Sequence, residues 1–338
     1  MTLADRRNNF DALRIAAALA VVIGHAWPLT GVPAAPRLGG HLIYHDAVYV
    51  FFAISGFLIA SSWARSPRPL GFLRNRALRI FPALALVVLV TVFAIGPAVT
   101  TSPDYFARAE TWGYLGNIIL VAQYELPGVF EANPVTAVNG SLWTLGAEFA
   151  CYLGVLLVGV AARRIAPAVF AALFVLLVTV SLIPGALPPG MGAVTTAMAF
   201  FAAGAVIASP TVARWVLPGP ALAALAVWLV VGAVSIEAGK VLAWLVVPYL
   251  VIALGIRSTP VLRDAGRFGD FSYGLYLWAF PVQQLVVVWL GSLALWFDLL
   301  IVVPLTLVLA VASWHLVERR ALALKSGTRR RVGAGSPG

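Results

Sequence analysis

Apolar runs of membrane-crossing length follow one another from end to end of the chain, separated by short joints that hold most of its basic residues. At about 1.5 Å of rise per residue, such a run crosses a hydrocarbon core of about 30 Å as a helix, with its backbone polar groups paired internally. The repetition excludes a water-soluble globule. Composition agrees: 61% of residues are hydrophobic and 11% charged, against roughly 45–50% and about 25% in soluble domains. The formal charge of +10 is confined to the joints, so it marks topology and not a nucleic-acid footprint. The single cysteine, Cys151, lies in an apolar run, where it reads as a small buried hydrophobe and excludes an internal disulfide.

About ten runs qualify as helices, near 12–31, 47–64, 80–100, 142–162, 165–183, 193–208, 219–236, 241–256, 268–290 and 298–317. Ten crossings return the chain to its starting side. Of the 23 Lys and Arg residues, only Arg37, Arg108 and Lys240 then fall on the opposite side, which predicts cytoplasmic termini. Mixed charge at Asp5, Asp11 and Arg14, with a second run close behind, fits a retained first helix better than a cleaved signal peptide. The expectation is one all-α polytopic membrane domain over 1–325. A small, basic, low-complexity tail at 326–338 reads as disordered. The longest external stretch, Thr101–Gly140, has an apolar middle at Trp112–Gln123 that is too short to span and suits a re-entrant or interfacial segment. No internal repeat of the kind common in transporters is evident.

Ionisable residues inside such runs are costly, about 2.5–3.5 kcal/mol at a helix centre, so each asks for a reason. Arg14 and His25 share one face of the first helix, about 16 Å apart along its axis. An imidazole at that depth suits a general base, or a hydrogen bond to a neighbouring helix. Arg74, Arg76 and Arg79 precede Pro82 in FLRNRALRIFP; read at a helix start, Arg76 and Arg79 form a face for an anion such as phosphate, although topology alone also calls for a basic joint there. Glu148, about two turns into the fourth run, requires a donor such as Arg or His from another helix, with Asn139, Ser141, Trp143 and Thr144 giving the segment a polar mouth. Tyr273, Tyr276, Gln283 and Gln284 fall in the ninth run, where the amides suit either the hydroxyls of a polar ligand or a bond between helices. His41, His45 and Asp46 form a short external cluster without the third helix-spaced ligand set that a metal site needs, and no metal is expected.

In order, NNFDALRIAAALAVVIGHAW, FFAISGFLIA, the arginine pair Arg76 and Arg79, NGSLWTLGAEF and SYGLYLWAFPV resemble the successive motifs of the acyltransferase 3 family of integral-membrane acyltransferases, over about residues 8–318. Two positions depart from the family pattern: Tyr49 stands where many members carry an Asp before the Phe-Phe pair, and Ala279 where many carry a His before Phe-Pro.

The resemblance implies an O-acyltransferase of the bacterial inner membrane, moving an acyl group, often acetyl, from acyl-coenzyme A to a hydroxyl of a carbohydrate such as a cell-surface polysaccharide or glycolipid. Acyl-coenzyme A is then a co-substrate, with no tightly bound cofactor. Arg76 and Arg79, assisted by Arg14, would hold the donor phosphates. His25 would take the acceptor proton, and Glu148 would orient a ligand or balance positive charge. Asn139, Trp143, Tyr273, Gln283 and Gln284 are the expected substrate contacts, and Ser55 and Trp143 would shape the cavity. The competing reading is a transporter or flippase of a polar glycan or lipid-linked sugar, which would use the same charges to line a path without covalent change.

Overall fold

The computed structural model describes residues 8–325, so Arg6, Arg7 and the tail at 326–338 lie outside the described residues. The protein is an all-α membrane protein whose β structure, among those residues, is a hairpin of Arg37–Leu38 (β1) and His41–Leu42 (β2). Among the described residues, seven helices are long and apolar enough to cross a bilayer: α1 (Phe10–Leu29), α2 (Ile43–Arg65), α3 (Pro69–Val99), α4 (Gly140–Ala161), α8 (Ile236–Gly255), α9 (Ser272–Leu290) and α10 (Leu295–Ala323). The other three expected runs are shorter apolar helices, α5 (Ala166–Leu182), α6 (Met191–Ile207) and α7 (Pro218–Val234).

Local chemistry sets the helix ends. Pro69 and Pro218 occupy first-turn positions that need no N–H donor, and Asn139 and Ser235 accept from the backbone N–H groups of Ser141 and Ala238. The third helix begins well before the expected residue 80 and continues through Pro82. Arg74, Arg76 and Arg79 therefore lie within a helix instead of at its start, because Pro69 nucleates the helix earlier and Pro82 does not end it.

Helix α2 sits centrally, packed by α1, α4, α6 and α8. Its approach to α6 is backbone to backbone. A Cβ on Gly56 would stand 2.0 Å from the Phe201 carbonyl oxygen, and one on Gly204 would stand 2.1 Å from that of Ala53. Small residues on both partners permit this approach, and in lipid such close packing replaces the hydrophobic drive available in water. Helix α9 is the most enclosed span, with 78% of its apolar window buried, and it packs on α1, α3 and α10.

The stretch Thr101–Gly140 folds into a short helix at Ala109–Gly113 and a 3-10 turn at Tyr114–Ile119 that packs on α3. Gln284 of α9 then pins the rest of this stretch: its Nε2 donates to the carbonyls of Val135 (2.7 Å) and Ala137 (2.6 Å), and its Oε1 accepts from Asn133 Nδ2 (2.8 Å).

Gly204→Val should force α2 and α6 apart, at a cost of several kcal/mol by the overpacking scale of about 1–3 kcal/mol for each such intrusion. A thermal melt of the detergent-solubilised protein should show a markedly lower Tm, with Gly204→Ala intermediate.

Candidate active site

The face at which α1 begins carries a polar cluster assembled from helices distant in sequence. Arg14 Nη1 and Arg79 Nη2 both reach Asp270 Oδ2, at 2.8 and 2.6 Å, and Ser272 Oγ donates to Asp270 Oδ1 at 2.6 Å. Arg79 also lies 3.8 Å from Glu318, whose other oxygen accepts from Ser313 Oγ at 3.1 Å. Burial by itself raises the Asp270 carboxyl, but Arg14 and Arg79 overcome it and hold the group below the ordinary carboxylate range. Gly269 makes this geometry possible: it has φ +146 and lies so close to Trp314 that a Cβ would stand 2.3 Å from the indole nitrogen.

Beside this cluster is a cavity of about 220 Å³ lined by Ser55, Leu58, Arg14, Arg76, Arg79, Tyr152, Asp270 and Lys325, among others. Its four cations are not equivalent. Arg14 and Arg79 are engaged by Asp270, whereas Arg76 and Lys325 have no carboxylate within 4 Å among the described residues. Arg76 rests over the rings of Phe72 (5.8 Å) and Tyr152 (5.9 Å), and its buried Nε has no hydrogen-bond partner. Lys325 is placed here by Arg74, which donates to the carbonyl of Leu324 at 2.5 Å. Burial, with Arg76 and Arg79 nearby, pushes the Lys325 ammonium down to about 8. The cavity is therefore anion-seeking, with two cations still available.

Glu148 differs from its expected pairing. Its Oε1 accepts from Ser55 Oγ at 3.0 Å and from the Tyr152 hydroxyl, and no cation lies within 4 Å of it among the described residues. Two hydroxyl donors take the place of the Arg or His that a carboxylate at that depth called for. Glu148 also lines a second, smaller cavity with Arg14, Val48, Phe52, Thr144, Leu145, Tyr273 and Tyr276. Arg14 lines both cavities, so the two adjoin.

His25 stands further along α1. Its ring stacks on Tyr44 (centroids 4.6 Å apart) and meets Phe280 edge-on (5.5 Å), so it faces protein and not lipid. Nδ1 lies 2.9 Å from the Val21 carbonyl. A carbonyl only accepts, so Nδ1 carries the proton and Nε2 keeps its lone pair, without a hydrogen bond from the described residues. Tyr44 also lines a wide mouth at the opposite face, with Pro28, Val32, Arg37 and Leu42. Ser55, which holds Glu148, and Tyr44, which stacks on His25, are about 16 Å apart along α2. The three expected catalytic residues thus divide: Arg14 and Glu148 share a cavity, while His25 lies at another level.

The expected substrate contacts divide as well. Tyr273 lines the smaller cavity and donates to the Ile80 carbonyl at 2.9 Å. Asn139 is buried, donates to the Leu277 carbonyl (3.0 Å) and caps α4. Gln283 donates to Asp298 Oδ2 (2.9 Å), and Gln284 holds the 133–137 segment. The amides of Asn139, Gln283 and Gln284 therefore bond element to element, the second of the two roles open to such groups. Trp143 is half-buried in the first turn of α4, outside the linings of both cavities. Sequence reasoning missed Asp270, Glu318, Tyr152 and Lys325. The carboxylate in FGDFSYGLY was the available signal, as an acid beside buried arginines that lacked a counter-ion.

The chain is thus a polytopic membrane protein with a basic cavity at one face, a wide mouth at the other and an accepting imidazole nitrogen on His25 that the described fold leaves unused. The sequence profile described as "Acyltransferase domain" matches residues 7–316, and the chain belongs to this acyltransferase 3 family of membrane acyltransferases. Over 95% of its length it is 32% identical to the "O-acetyl transferase" of Shigella phage Sf6, 98% of which is covered. Over 95% of its length it is also 30% identical to "Nodulation protein 10" of Rhizobium leguminosarum bv. viciae, 94% of which is covered. No solved structure matches the chain.

Asp270→Asn should leave Arg14 and Arg79 without their shared charge, at a cost of about 3–5 kcal/mol for a broken buried pair. The expected readout is a lower Tm and a reduced yield of monodisperse protein, whereas the exposed-surface change Arg164→Gln should leave both unaltered.

Proposed function

We propose that the protein transfers an acyl group from acyl-coenzyme A to a hydroxyl of a carbohydrate of the cell envelope. On this reading the chain crosses a bacterial inner membrane ten times, with both termini in the cytoplasm. The single observation that carries it is the pairing of a basic cavity holding two uncommitted cations, Arg76 and Lys325, with an accepting imidazole nitrogen on His25 nearer the opposite mouth.

The division of labour follows from chemistry. The donor phosphates suit Arg76 and Lys325, because Asp270 and Glu318 already engage Arg14 and Arg79. Glu148, an acceptor held by two hydroxyls, is suited to take an N–H from the amide-bearing arm of coenzyme A. The acceptor enters from the mouth beside Tyr44. His25 Nε2 takes the hydroxyl proton as that oxygen attacks the thioester carbonyl carbon, the carbon–sulfur bond breaks, and the leaving thiolate receives the proton from His25. The products are the ester and free coenzyme A. Nδ1, fixed on the Val21 carbonyl, holds the imidazole in the accepting tautomer throughout.

Membrane vesicles given radiolabelled acetyl-coenzyme A and host envelope extract should incorporate label into a carbohydrate fraction. His25→Ala should lower kcat by about 10²–10⁴, the range for a general base, while leaving the donor KM nearly unchanged. Arg76→Ala should instead raise the donor KM about tenfold, about 1.4 kcal/mol of lost phosphate contact. Transport of an unmodified glycan with no label transferred would overturn the enzyme reading.

A pH profile tests Lys325 separately. Because its ammonium titrates near 8, the wild-type donor KM should rise by about threefold from pH 7 to 9.5 as that charge is lost, within the range for one ion contact. Lys325→Arg should flatten the profile.

A further inference from the structure

The smaller cavity is tight beside its neighbour, about 40 Å³ against about 220 Å³ for the basic one. That difference suits a short acyl group in the smaller cavity and the bulk of a donor in the basic one. We propose that this cavity, walled by Val48, Phe52, Leu145, Tyr273 and Tyr276, receives the acyl group of the donor and restricts it to acetyl. The proposal rests on the acyl-coenzyme A reading above and adds the residues that select chain length.

Three observations support it. The first is continuity: Arg14 lines both this cavity and the basic one, and Glu148, held by Ser55 and Tyr152 of the basic cavity's wall, lines the smaller one. A donor whose phosphates sit at Arg76 and Lys325 thus points its acyl end here. The second is level. Val48 is one turn along α2 from Tyr44, and Tyr276 is one turn along α9 from Phe280. Tyr44 and Phe280 are the two rings that enclose His25, so the cavity ends about 6 Å from the imidazole layer. A thioester carbonyl in the cavity is then within reach of a hydroxyl held at His25.

The third observation is rigidity. The Tyr276 hydroxyl lies 2.7 Å from Thr144 Oγ1 and donates to the Ser141 carbonyl at 2.9 Å, and Tyr273 donates to the Ile80 carbonyl at 2.9 Å. Val48, Phe52 and Leu145 are buried in the core. A longer chain would have to displace packed rings and break those hydrogen bonds, whereas acetyl fits without movement.

The test compares acetyl-, propionyl- and butyryl-coenzyme A in vesicles supplied with envelope extract, following release of free coenzyme A. Wild type should favour acetyl over butyryl at least about a hundredfold in kcat/KM, since each of the two excluded methylenes is worth about 10-fold or more. Val48→Ala and Phe52→Ala should narrow that ratio at least tenfold, with the butyryl rate rising in absolute value. Phe52→Leu, which removes less volume, serves if Phe52→Ala does not accumulate. Leu58→Ala, which enlarges only the basic cavity, should leave the ratio as it is. A wild type that uses all three donors alike overturns the proposal. So does an unchanged ratio in opened variants that still turn over acetyl-coenzyme A. A change in acceptor KM alone would assign the cavity to the acceptor and overturn it equally. Use of none of the three donors would overturn the acyl-coenzyme A reading itself, and this proposal with it.

Discussion

One carboxylate holds the basic face together. Asp270 stands in the approach to α9, Arg14 on α1 and Arg79 on α3, and their meeting at a single oxygen joins three parts of the chain. Two guanidinium groups against each other in a poorly hydrated site would repel, so the pair can stand side by side only with that anion between them. The same arrangement decides which cations remain available to a ligand. Arg14 and Arg79 are committed to the architecture. Arg76 and Lys325 carry the attraction for an incoming anion because nothing in the described fold neutralises them at close range.

From that anchored face the polar groups form two levels. Near the arginines, Glu148 is held by hydroxyls of α2 and α4, at the junction of the two cavities. Higher up, His25 lies between aromatic rings with one nitrogen spent on its own helix and the other unspent. Tyr44, which stacks on His25, and Ser55, which holds Glu148, are about 16 Å apart along α2, and the carboxylate and the imidazole each bond other groups. On the proposed function, two levels suit two substrates that meet at the imidazole.

The helices themselves were largely legible in the sequence, because apolar length and basic joints report directly on the cost of burying backbone and charge in lipid. The boundaries of α1, α5, α6 and α7 fall within a few residues of expectation. The start of α3 did not, since a basic amphipathic turn looks like a joint until the carboxylates it meets are known. Arg14, Arg79, Glu148 and His25 stood out as ionisable groups within apolar runs. Asp270 and Lys325 did not, because Asp270 sits at the very start of the 268–290 run and Lys325 beyond the last one, where a charge reaches the interface and costs little. Pairing across the bundle is also invisible to spacing: nothing local says that Glu148 meets Ser55 and Tyr152 instead of an arginine.

The amides show why chemical type alone misleads inside a bilayer. Asn139, Gln283 and Gln284 are as polar as any group that could grip a sugar, and their depth made that role attractive. Yet the chain must also hold irregular backbone near the membrane, and every carbonyl in the 133–137 segment that loses water needs a donor. Gln284 supplies two such bonds and Asn139 caps a helix, so their capacity is largely consumed in making the fold possible. Capacity left over is the better sign of function. Gln283 Oε1 keeps some of it, and so do Arg76 Nε, His25 Nε2 and the Lys325 ammonium. A buried group without a partner costs the folded chain free energy, and a ligand that supplies the missing partner recovers that cost as binding.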